Sequence, residues 1–321
     1  MVPMPSPARH LRPAHRASLH TALSTAFLIA LAGPLASAAQ AQLRPASAPS
    51  PYVLGKTERL VIDDPVSHRA YEVMVALPPS WRPDGPKLPV VYVTDAPYAF
   101  PLLNAITGRF WRHEGQMGEF ILVGLGYAVG EDGATSRNRD YTPFPPRPEP
   151  GRYQDGQPYG QADAYLAFLE KTALPAIERA YRADGQQRTY MGHSYGALLG
   201  AQALLKKPGL FRHAVLSSPS LWFGQSQMLK DFGAPSLPAL PKGTQVLLYA
   251  GSFEVPAKGR TNPRYNREVD LAGDMQRLAR LLRECAPQAQ VEAKVFDDED
   301  HLSVFPRMAT HALMRLHPRR P

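Results

Sequence analysis

One twelve-residue segment constrains the fold of this chain more than any other: residues 188–199, which read Arg-Thr-Tyr-Met-Gly-His-Ser-Tyr-Gly-Ala-Leu-Leu. The pattern predicts a short strand, a tight turn built on Gly192, Ser194 and Gly196, and then a helix of small and apolar residues. Such a turn holds its serine in a strained conformation, and the two glycines let the strand and the helix pass closely. The serine hydroxyl is therefore expected at the carboxyl edge of a sheet, beside the first amides of a helix.

The rest of the chain alternates strands and helices around this turn. Two early segments, 58–62 and 70–77, suit an antiparallel edge pair. Pro175 predicts a kink in a later helix. The alternation predicts a mostly parallel central sheet with helices on both faces, and together with the serine turn it predicts the α/β-hydrolase fold, with residues 57–317 as a single domain. Buried strands are predicted at 88–93 and 120–126, further strands at 213–217, 245–250 and 291–296, and helices at 161–181 and 271–285.

The N-terminal region has the features of a secretory signal peptide. Basic residues precede an apolar run at 23–35, which ends in small residues and the triplet Ala39-Gln40-Ala41. We expect residues 1–41 to be cleaved and residues 42–56 to form a flexible leader. The apolar run is too short and too alanine-rich for a good membrane anchor, although an uncleaved anchor is the alternative. The expected location is periplasmic or secreted, without stable membrane insertion after cleavage.

The charge, the cysteine content and the motifs of the sequence limit which partners and cofactors are expected. The net charge is +8, and cleavage of the signal region would lower it to about +5 because that region holds three arginines and no acids. The remaining lysines and arginines are scattered, which argues against nucleic acid and favours a small anionic substrate. Cys285 is the only cysteine, so no internal disulfide can form, and a buried, inert thiol is expected. No phosphate-binding loop, dinucleotide fingerprint or helical zinc motif occurs in the sequence, so neither a cofactor nor a metal is expected.

A serine hydroxyl needs a neighbouring base before it can act as a nucleophile, and Ser194 has a candidate in the expected place. His301 follows the last predicted strand and precedes a terminal helix, in the chain order Ser, acid, His; a surface role is the alternative. The acid that orients the histidine is expected in the turn after the preceding strand, where Glu254 lies. The alternatives to Glu254 are Asp270, Asp274, the acidic turn at 297–300 and a Ser–His dyad without an acid.

The oxyanion that forms when a serine attacks an ester needs two backbone donors. One is the N–H of Tyr195, directly after the serine. The other is expected from the loop after the third strand, where Pro97 has no N–H and Ala96 is favoured by position over Tyr98. His193 lies inside the tight turn, and its side chain is expected to point away from the serine hydroxyl.

Five motifs in a fixed order carry a resemblance to a known family. On these residues the chain resembles the esterase D-like branch of the α/β-hydrolases, particularly its periplasmic siderophore esterases, over roughly Thr57 to Leu316. Asp95-Ala96 stands where the family usually has Asp-Gly, which bears on the oxyanion loop, and Ala197 replaces a second glycine after the turn. The motifs are Val91-Tyr92-Val93-Thr94-Asp95, Arg137-Asn138-Arg139-Asp140-Tyr141-Thr142-Pro143, Gly192-His193-Ser194-Tyr195-Gly196, Ser218-Pro219-Ser220-Leu221-Trp222-Phe223 and Asp300-His301-Leu302-Ser303-Val304.

The resemblance implies roles for further residues. Arg137 would help to bind an anionic or catecholate substrate at the pocket rim, with Arg139 and Asp140 as an ion pair beside it. The alternative for both arginines is that they pin the loop. Trp222 would line the pocket wall or pack in the core.

The resemblance also implies a reaction. It points to an exported serine esterase that hydrolyses the ester or lactone bonds of a ferric catecholate siderophore, such as an enterobactin-like trilactone, to release iron. The alternatives are a carboxylesterase acting on feruloyl or plant-wall acyl esters, an acyltransferase that excludes water, and a non-catalytic siderophore-binding protein.

Four further residues or segments have an interpretation from the sequence alone. Ser218 and Ser220 read as turn or helix-capping residues and not as nucleophiles. The segments at 143–160 and 256–266 are long and rich in proline, glycine or polar residues, and they read either as lids or binding loops or as disordered insertions.

Overall fold

The description that follows rests on a computed structural model of the chain. The predicted signal peptide and all but the last three residues of the predicted leader lie outside the described residues, and the long segments at 143–160 and 256–266 are described only in part. Residues Val53–Pro321 form one compact unit. The structure describes residues 54–113, 117–146, 153, 156–234, 239–256, 259, 261–266 and 268–319.

A mixed sheet of eight strands forms the centre of this unit. The strands are β1 (Thr57–Asp63), β2 (Ala70–Ala76), β3 (Leu88–Val93), β4 (Ile121–Ala128), β5 (Ala183–His193), β6 (His213–Ser217), β7 (Gln245–Gly251) and β8 (Gln290–Phe296). Their order in the sheet is β1-β2-β4-β3-β5-β6-β7-β8. Strand β2 pairs antiparallel with β1 and β4, and the remaining neighbours in the sheet are parallel. The prediction of an α/β fold with a mostly parallel sheet is confirmed.

Burial along the strands explains their sequence patterns. All five residues of β6 are buried, as expected for a strand with helices on both faces, and its three central residues are apolar. The edge strand β1 instead alternates between exposed and half-buried residues. Because these two patterns differ, the sequence alone distinguished the centre of the sheet from its antiparallel edge.

Helices cover both faces of the sheet. They are α1 (Ala96–Arg112), α2 (Gly133–Tyr141), α3 (Ala162–Phe168), α4 (Leu174–Tyr181), α5 (Tyr195–Lys206), α6 (Phe223–Phe232), α7 (Leu271–Cys285) and α8 (Val304–Leu316). Residues of α1 and α8 share one hydrophobic core with the sheet, and residues of α3 to α7 share the other. The predicted arrangement of helices on both faces is therefore confirmed.

Two helices differ from the sequence-based expectation. The segment after β3 and the segment around Arg137 were both read as loops, but they form α1 and α2. The helix predicted at 161–181 is present, and a π-helical turn, Leu169–Ala173, lies just before Pro175 in the first turn of α4. A proline there has no N–H to give to the preceding turn, which fits a local change of helical hydrogen bonding at this point.

Candidate active site

The tight turn between β5 and α5 has the geometry that its sequence requires. Ser194 connects the two elements with φ 57° and ψ −118°, a strained conformation for a residue with a side chain. A Cβ on Gly192 would lie 2.4 Å from the carbonyl carbon of Gly196, and a Cβ on Gly196 would lie 2.3 Å from Thr94 Oγ1. Both positions therefore exclude any side chain, and the turn presents Ser194 at the carboxyl edge of the sheet.

The structure brings His301 and Glu254 together. His301 Nδ1 lies 2.6 Å from Glu254 Oε1, and since an ionised carboxylate can only accept, the imidazole is the donor. The Glu254 side chain is 1% exposed, whereas that of His301 is 35% exposed. A hydrogen bond of this kind fixes the tautomer of the ring and leaves Nε2 as the free basic nitrogen.

The burial of the Glu254 carboxylate is compensated by further donors. Its Oε2 atom accepts from the backbone N–H of Gly251 at 2.7 Å and from Ser218 Oγ at 2.6 Å. A buried charge without such partners would cost several kcal/mol. Both oxygens of the buried carboxylate therefore have hydrogen-bond partners.

The competing acids make other interactions. Asp270 caps α7 by accepting from Gly273 N. Asp274 pairs with Arg277 on the same helix. In the turn before the histidine, Asp300 accepts from Arg264 Nε at 2.6 Å. Of the acids considered from the sequence, the structure places Glu254 against the His301 ring.

Ser194 and His301 share one cavity of about 330 Å³. In the structure Ser194 Oγ lies 3.3 Å from Ser220 Oγ. A nucleophile and its base are often further apart without substrate than in the reacting complex, so this resting contact is compatible with proton transfer to the histidine. The described residues that line the cavity are Thr94, Asp95, Tyr98, Ala99, Tyr127, Arg137, His193, Ser194, His301, Leu302 and Phe305.

The two predicted oxyanion donors begin two different helices. Tyr195 is the first residue of α5 and Ala96 is the first residue of α1, so both amides belong to helix N-termini. The amide of Tyr98, the alternative to Ala96, donates to the carbonyl of Asp95 at 3.0 Å. The assignment of Tyr195 and Ala96 stays a prediction, with Tyr98 now the weaker alternative.

Arg137 lines the cavity, but its charge is already paired. It projects from α2, and its Nε donates to Asp95 Oδ1 at 2.8 Å, while the guanidinium lies 5.2 Å from the ring centre of Tyr195. Tyr127 donates to the same Asp95 oxygen at 2.7 Å. Burial opposes the charge, yet the Asp95 carboxylate outweighs burial and raises the pKa of the Arg137 guanidinium. Arg137 is thus a fixed cation at the cavity wall.

The neighbouring arginine has a structural role. Arg139 is 2% exposed and forms two hydrogen bonds to Asp140, at 2.8 and 2.9 Å, and one to Glu131 at 2.5 Å. The two residues thus form the ion pair expected beside Arg137. They hold α2 in place, in a segment that had been read as a loop.

Trp222 lies in an aromatic cluster next to the cavity. Its ring is stacked on Tyr153 at 6.3 Å and lies 6.2 Å from Tyr195 and 6.3 Å from Phe223. It is not among the described residues that line the cavity. The structure therefore shows aromatic packing for Trp222, and its contact with substrate stays a prediction.

Sequence reasoning missed three residues of the site. Ser218 and Ser220 were read as turn or capping residues, but their hydroxyls contact Glu254 and Ser194. His193 packs its ring 4.5 Å from that of His301, and its Nδ1 lies 3.0 Å from Ser217 Oγ. The parallel register pairs His193 with Ser217, so the residues after β6 lie beside the tight turn once β6 is known to neighbour β5.

His193 is a neutral residue at ordinary pH. Burial lowers its pKa well below the usual value, and the nearby His301 and Arg137 lower it further. A neutral imidazole packed on His301 adds no positive charge that would oppose protonation of the base.

Two absences concern the described residues alone. Within them, no group of three or more His, Cys, Asp or Glu residues is arranged to hold a metal ion. In the same part of the chain, no helix is long and apolar enough to cross a membrane.

Comparison with known proteins identifies the family of the chain. A family model described as "Putative esterase" matches residues 66–283, and the chain belongs to this family. It is an ester-hydrolysing enzyme of the α/β-hydrolase fold.

Its relatives include two siderophore esterases. The ferri-bacillibactin esterase BesA of Bacillus subtilis (strain 168) is 29% identical over 281 residues, which cover 84% of this chain and 93% of the relative. The siderophore triacetylfusarinine C esterase of Aspergillus fumigatus is 27% identical over 277 residues, which cover 80% and 91% of the two chains. The crystal structure of the BES protein from Bacillus cereus superimposes with a TM-score of 0.70 at 21% identity, covering 85% of this chain and 99% of the other. That likeness shows the shared fold.

Proposed function

We propose that this protein is an exported serine esterase in which Ser194, His301 and Glu254 form the catalytic triad. The observation that carries the proposal is the 2.6 Å hydrogen bond between His301 and the buried Glu254, in a site whose cavity is lined by both His301 and the strained Ser194. A buried acid behind a histidine, facing a serine on a strand–helix turn, is the arrangement that activates a hydroxyl nucleophile.

The reaction follows from these positions. Ser194 Oγ attacks the ester carbonyl and gives its proton to His301 Nε2, while the Tyr195 and Ala96 amides receive the oxyanion. His301 then returns the proton to the departing alcohol oxygen, which leaves the acyl group on the serine. A water molecule gives a proton to His301 and attacks this acyl-enzyme; the bond from the acyl group to Ser194 Oγ then breaks, and His301 returns the proton to that oxygen, which releases the acid and restores the serine.

The proposed substrate is a siderophore ester, in particular a ferric catecholate trilactone. The siderophore esterases among the relatives support the class of substrate. The catecholate is supported by the net positive charge of the chain, and Arg137, already paired with Asp95, adds hydrogen-bond donors at the cavity wall. The cavity of about 330 Å³ would hold one arm of such a molecule, with the remainder outside. Hydrolysis outside the cytoplasm would release iron after uptake, consistent with the predicted signal peptide.

A comparison of three substrates tests the proposal. Hydrolysis of a ferric catecholate trilactone, a feruloyl ester and a p-nitrophenyl ester is measured with the mature protein and with Ser194→Ala. We expect the trilactone to have the highest kcat/KM and Ser194→Ala to lose at least about 10⁴-fold in kcat. An unchanged rate in Ser194→Ala would overturn the serine mechanism, and a preference for the feruloyl ester would overturn the substrate. Tight binding without turnover in the wild type would overturn the esterase itself, and acyl transfer to an added alcohol in place of water would identify an acyltransferase.

A further inference from the structure

The acid of the proposed triad is held at both of its oxygens. Glu254 Oε1 faces His301 Nδ1 at 2.6 Å. Glu254 Oε2 accepts from Gly251 N, at the end of β7, and from Ser218 Oγ, just after β6. The terminal torsion of a glutamate is broad and nearly free, so donors from outside must set the plane of its carboxylate. The backbone donor comes from the same turn as Glu254, and Ser218 is the donor from a different strand.

Ser218 is itself held in an unfavourable conformation. It is fully buried, its φ is 45°, and its N–H donates to the carbonyl of Tyr249 on β7 at 2.7 Å. A glycine or an asparagine would adopt this left-handed conformation at lower cost. Neither glycine nor asparagine has a hydroxyl group. The presence of serine at this position therefore indicates that its hydroxyl and the hydrogen bond to Glu254 matter.

We propose that Ser218 is a positioning residue of the esterase, which fixes the Glu254 carboxylate so that Oε1 stays aligned with His301. This inference rests on the proposed function, because it assumes that Glu254 and His301 act with Ser194. Ser218 touches neither substrate nor the reacting atoms. Its effect reaches the reaction through the orientation of the imidazole, so it bears on the chemical step more than on substrate binding.

Two variants separate the hydroxyl from the backbone. Ser218→Ala removes the hydroxyl and keeps the strained conformation, whereas Ser218→Gly removes the hydroxyl and relieves the strain. We expect kcat to fall about 10-fold in both, the factor for loss of one hydrogen bond to a charged group, with KM within about 2-fold of the wild type. The downfield proton resonance of the His301–Glu254 hydrogen bond is expected to move or broaden in both.

Ser136→Ala is the matched control. Ser136 is also buried, and its hydroxyl also contacts a buried carboxylate, that of Asp140 at 3.1 Å. We expect this variant to lower the midpoint of thermal unfolding without moving kcat or the downfield resonance. An equal loss of kcat in the control would mean that the Ser218 variants act through general destabilisation, and it would overturn the proposal.

Two results would contradict the proposal directly. If Ser218→Gly keeps wild-type kcat while Ser218→Ala does not, the position acts through its backbone alone. If both variants keep wild-type kcat and an unmoved resonance, the hydroxyl does not position the acid. Both results leave the serine mechanism intact provided that Ser194→Ala is inactive, so failure of this inference is distinguishable from failure of the proposed function.

Discussion

Histidines lie at both ends of the strands of the central sheet, which are called the carboxyl edge and the amino edge here, and their environments differ. At the carboxyl edge, His301 is about one-third exposed and is hydrogen-bonded to a buried carboxylate. At the amino edge, where β6 begins and α8 ends, His213 and His317 are 9% and 8% exposed. Burial, with Arg212 nearby, lowers the pKa of His213 to about 4, and burial, with His213 nearby, lowers that of His317 to about 3. The first histidine is the base of the proposed site, whereas burial keeps the other two neutral.

The larger cavity of the two edges is not the one that contains the residues of the proposed site. The amino-edge cavity, lined in part by Leu88, His213 and Gln245 at the starts of their strands, has a volume of about 940 Å³ and is the larger of the two. The carboxyl-edge cavity has about 330 Å³ and contains the serine, the histidine and the arginine of the proposed site. Ligands of parallel sheets bind beyond the carboxyl ends of the strands, where the connecting segments can carry functional residues. Convergent chemistry, and not volume, identifies the site.

Three residues of the carboxyl edge have a strained backbone. Asp95, Ser194 and Ser218 follow β3, β5 and β6, and all three have a positive φ, of 58°, 57° and 45°. Each places its side chain in the site. Asp95 pairs with Arg137, Ser194 presents its hydroxyl before α5, and Ser218 donates to Glu254. Strain at functional positions persists when the surrounding packing holds it in place. These three strained residues therefore all belong to the proposed site, and their conformations cost some stability.

After loss of the serine hydroxyl, the largest effect is expected from removing the charge of the acid at the carboxyl edge. Glu254→Gln keeps the shape of the side chain but can no longer stabilise a protonated His301, and kcat should fall by about 10³- to 10⁴-fold. The measurement is kcat on the p-nitrophenyl ester, with far-UV circular dichroism as the control for folding. Activity within about 10-fold of the wild type would instead favour a Ser–His dyad.

The residues of the proposed triad could be proposed from the sequence because local patterns mark each of them. The strand–turn–helix around Ser194, the turn after β7 and the turn after β8 all follow recognisable apolar strands, and chain order then assigns the roles. The contacts of Ser218 and Ser220 could not be found in this way. They depend on β6 lying beside β5 and on the exact register of that pair, which only the folded sheet supplies.

Helices α1 and α2 were read as loops because their sequences lack the usual signals of a helix. Helix α1 contains Pro97 in its first turn and Pro101 within it, and prolines at such spacing suggest a loop. Helix α2 has the sequence Gly-Ala-Thr-Ser-Arg-Asn-Arg-Asp-Tyr, which has almost no apolar periodicity. It is held by the buried Arg139–Asp140 pair and by the capping bond from Thr135 N to Asp132. Burial of α1 in the core beside the sheet, and the pairing and capping bonds of α2, therefore outweigh the local preference of the two segments.

The amino edge should control acid stability without affecting catalysis. Below pH 6.5 the unfolded chain protonates His213 and His317 while the folded chain does not, so the free energy of unfolding falls as the pH drops from about 6.5 towards about 4. Each buried histidine is expected to cost about 2 kcal/mol at pH 5. His193 acts in the same direction, because its pKa is also lowered.

His317→Gln isolates this effect. The variant removes one titrating group, so urea unfolding should show a smaller loss of stability between pH 7 and pH 5, by about 2 kcal/mol, with unchanged kcat at pH 7. The pH 7 stability of the variant serves as its own reference. Identical pH dependence in the variant and the wild type would show that His317 is protonated in the folded state as readily as in the unfolded one.

The smallest effect is expected at the rim of the carboxyl-edge cavity. Leu302 follows His301, lines the cavity and is 79% exposed, so its side chain is available to an apolar part of the substrate. Leu302→Ala removes part of this contact, and KM should rise about 3-fold with little change in kcat, which corresponds to about 25 Å² of lost apolar contact. Val66 is 84% exposed on the turn between β1 and β2 and does not line the cavity, so Val66→Ala is the matched control. An equal rise of KM in both variants would mean that exposed apolar surface acts non-specifically. A fall in kcat for Leu302→Ala alone would instead mean that this residue supports His301, which would extend the catalytic part of the carboxyl edge as far as its rim.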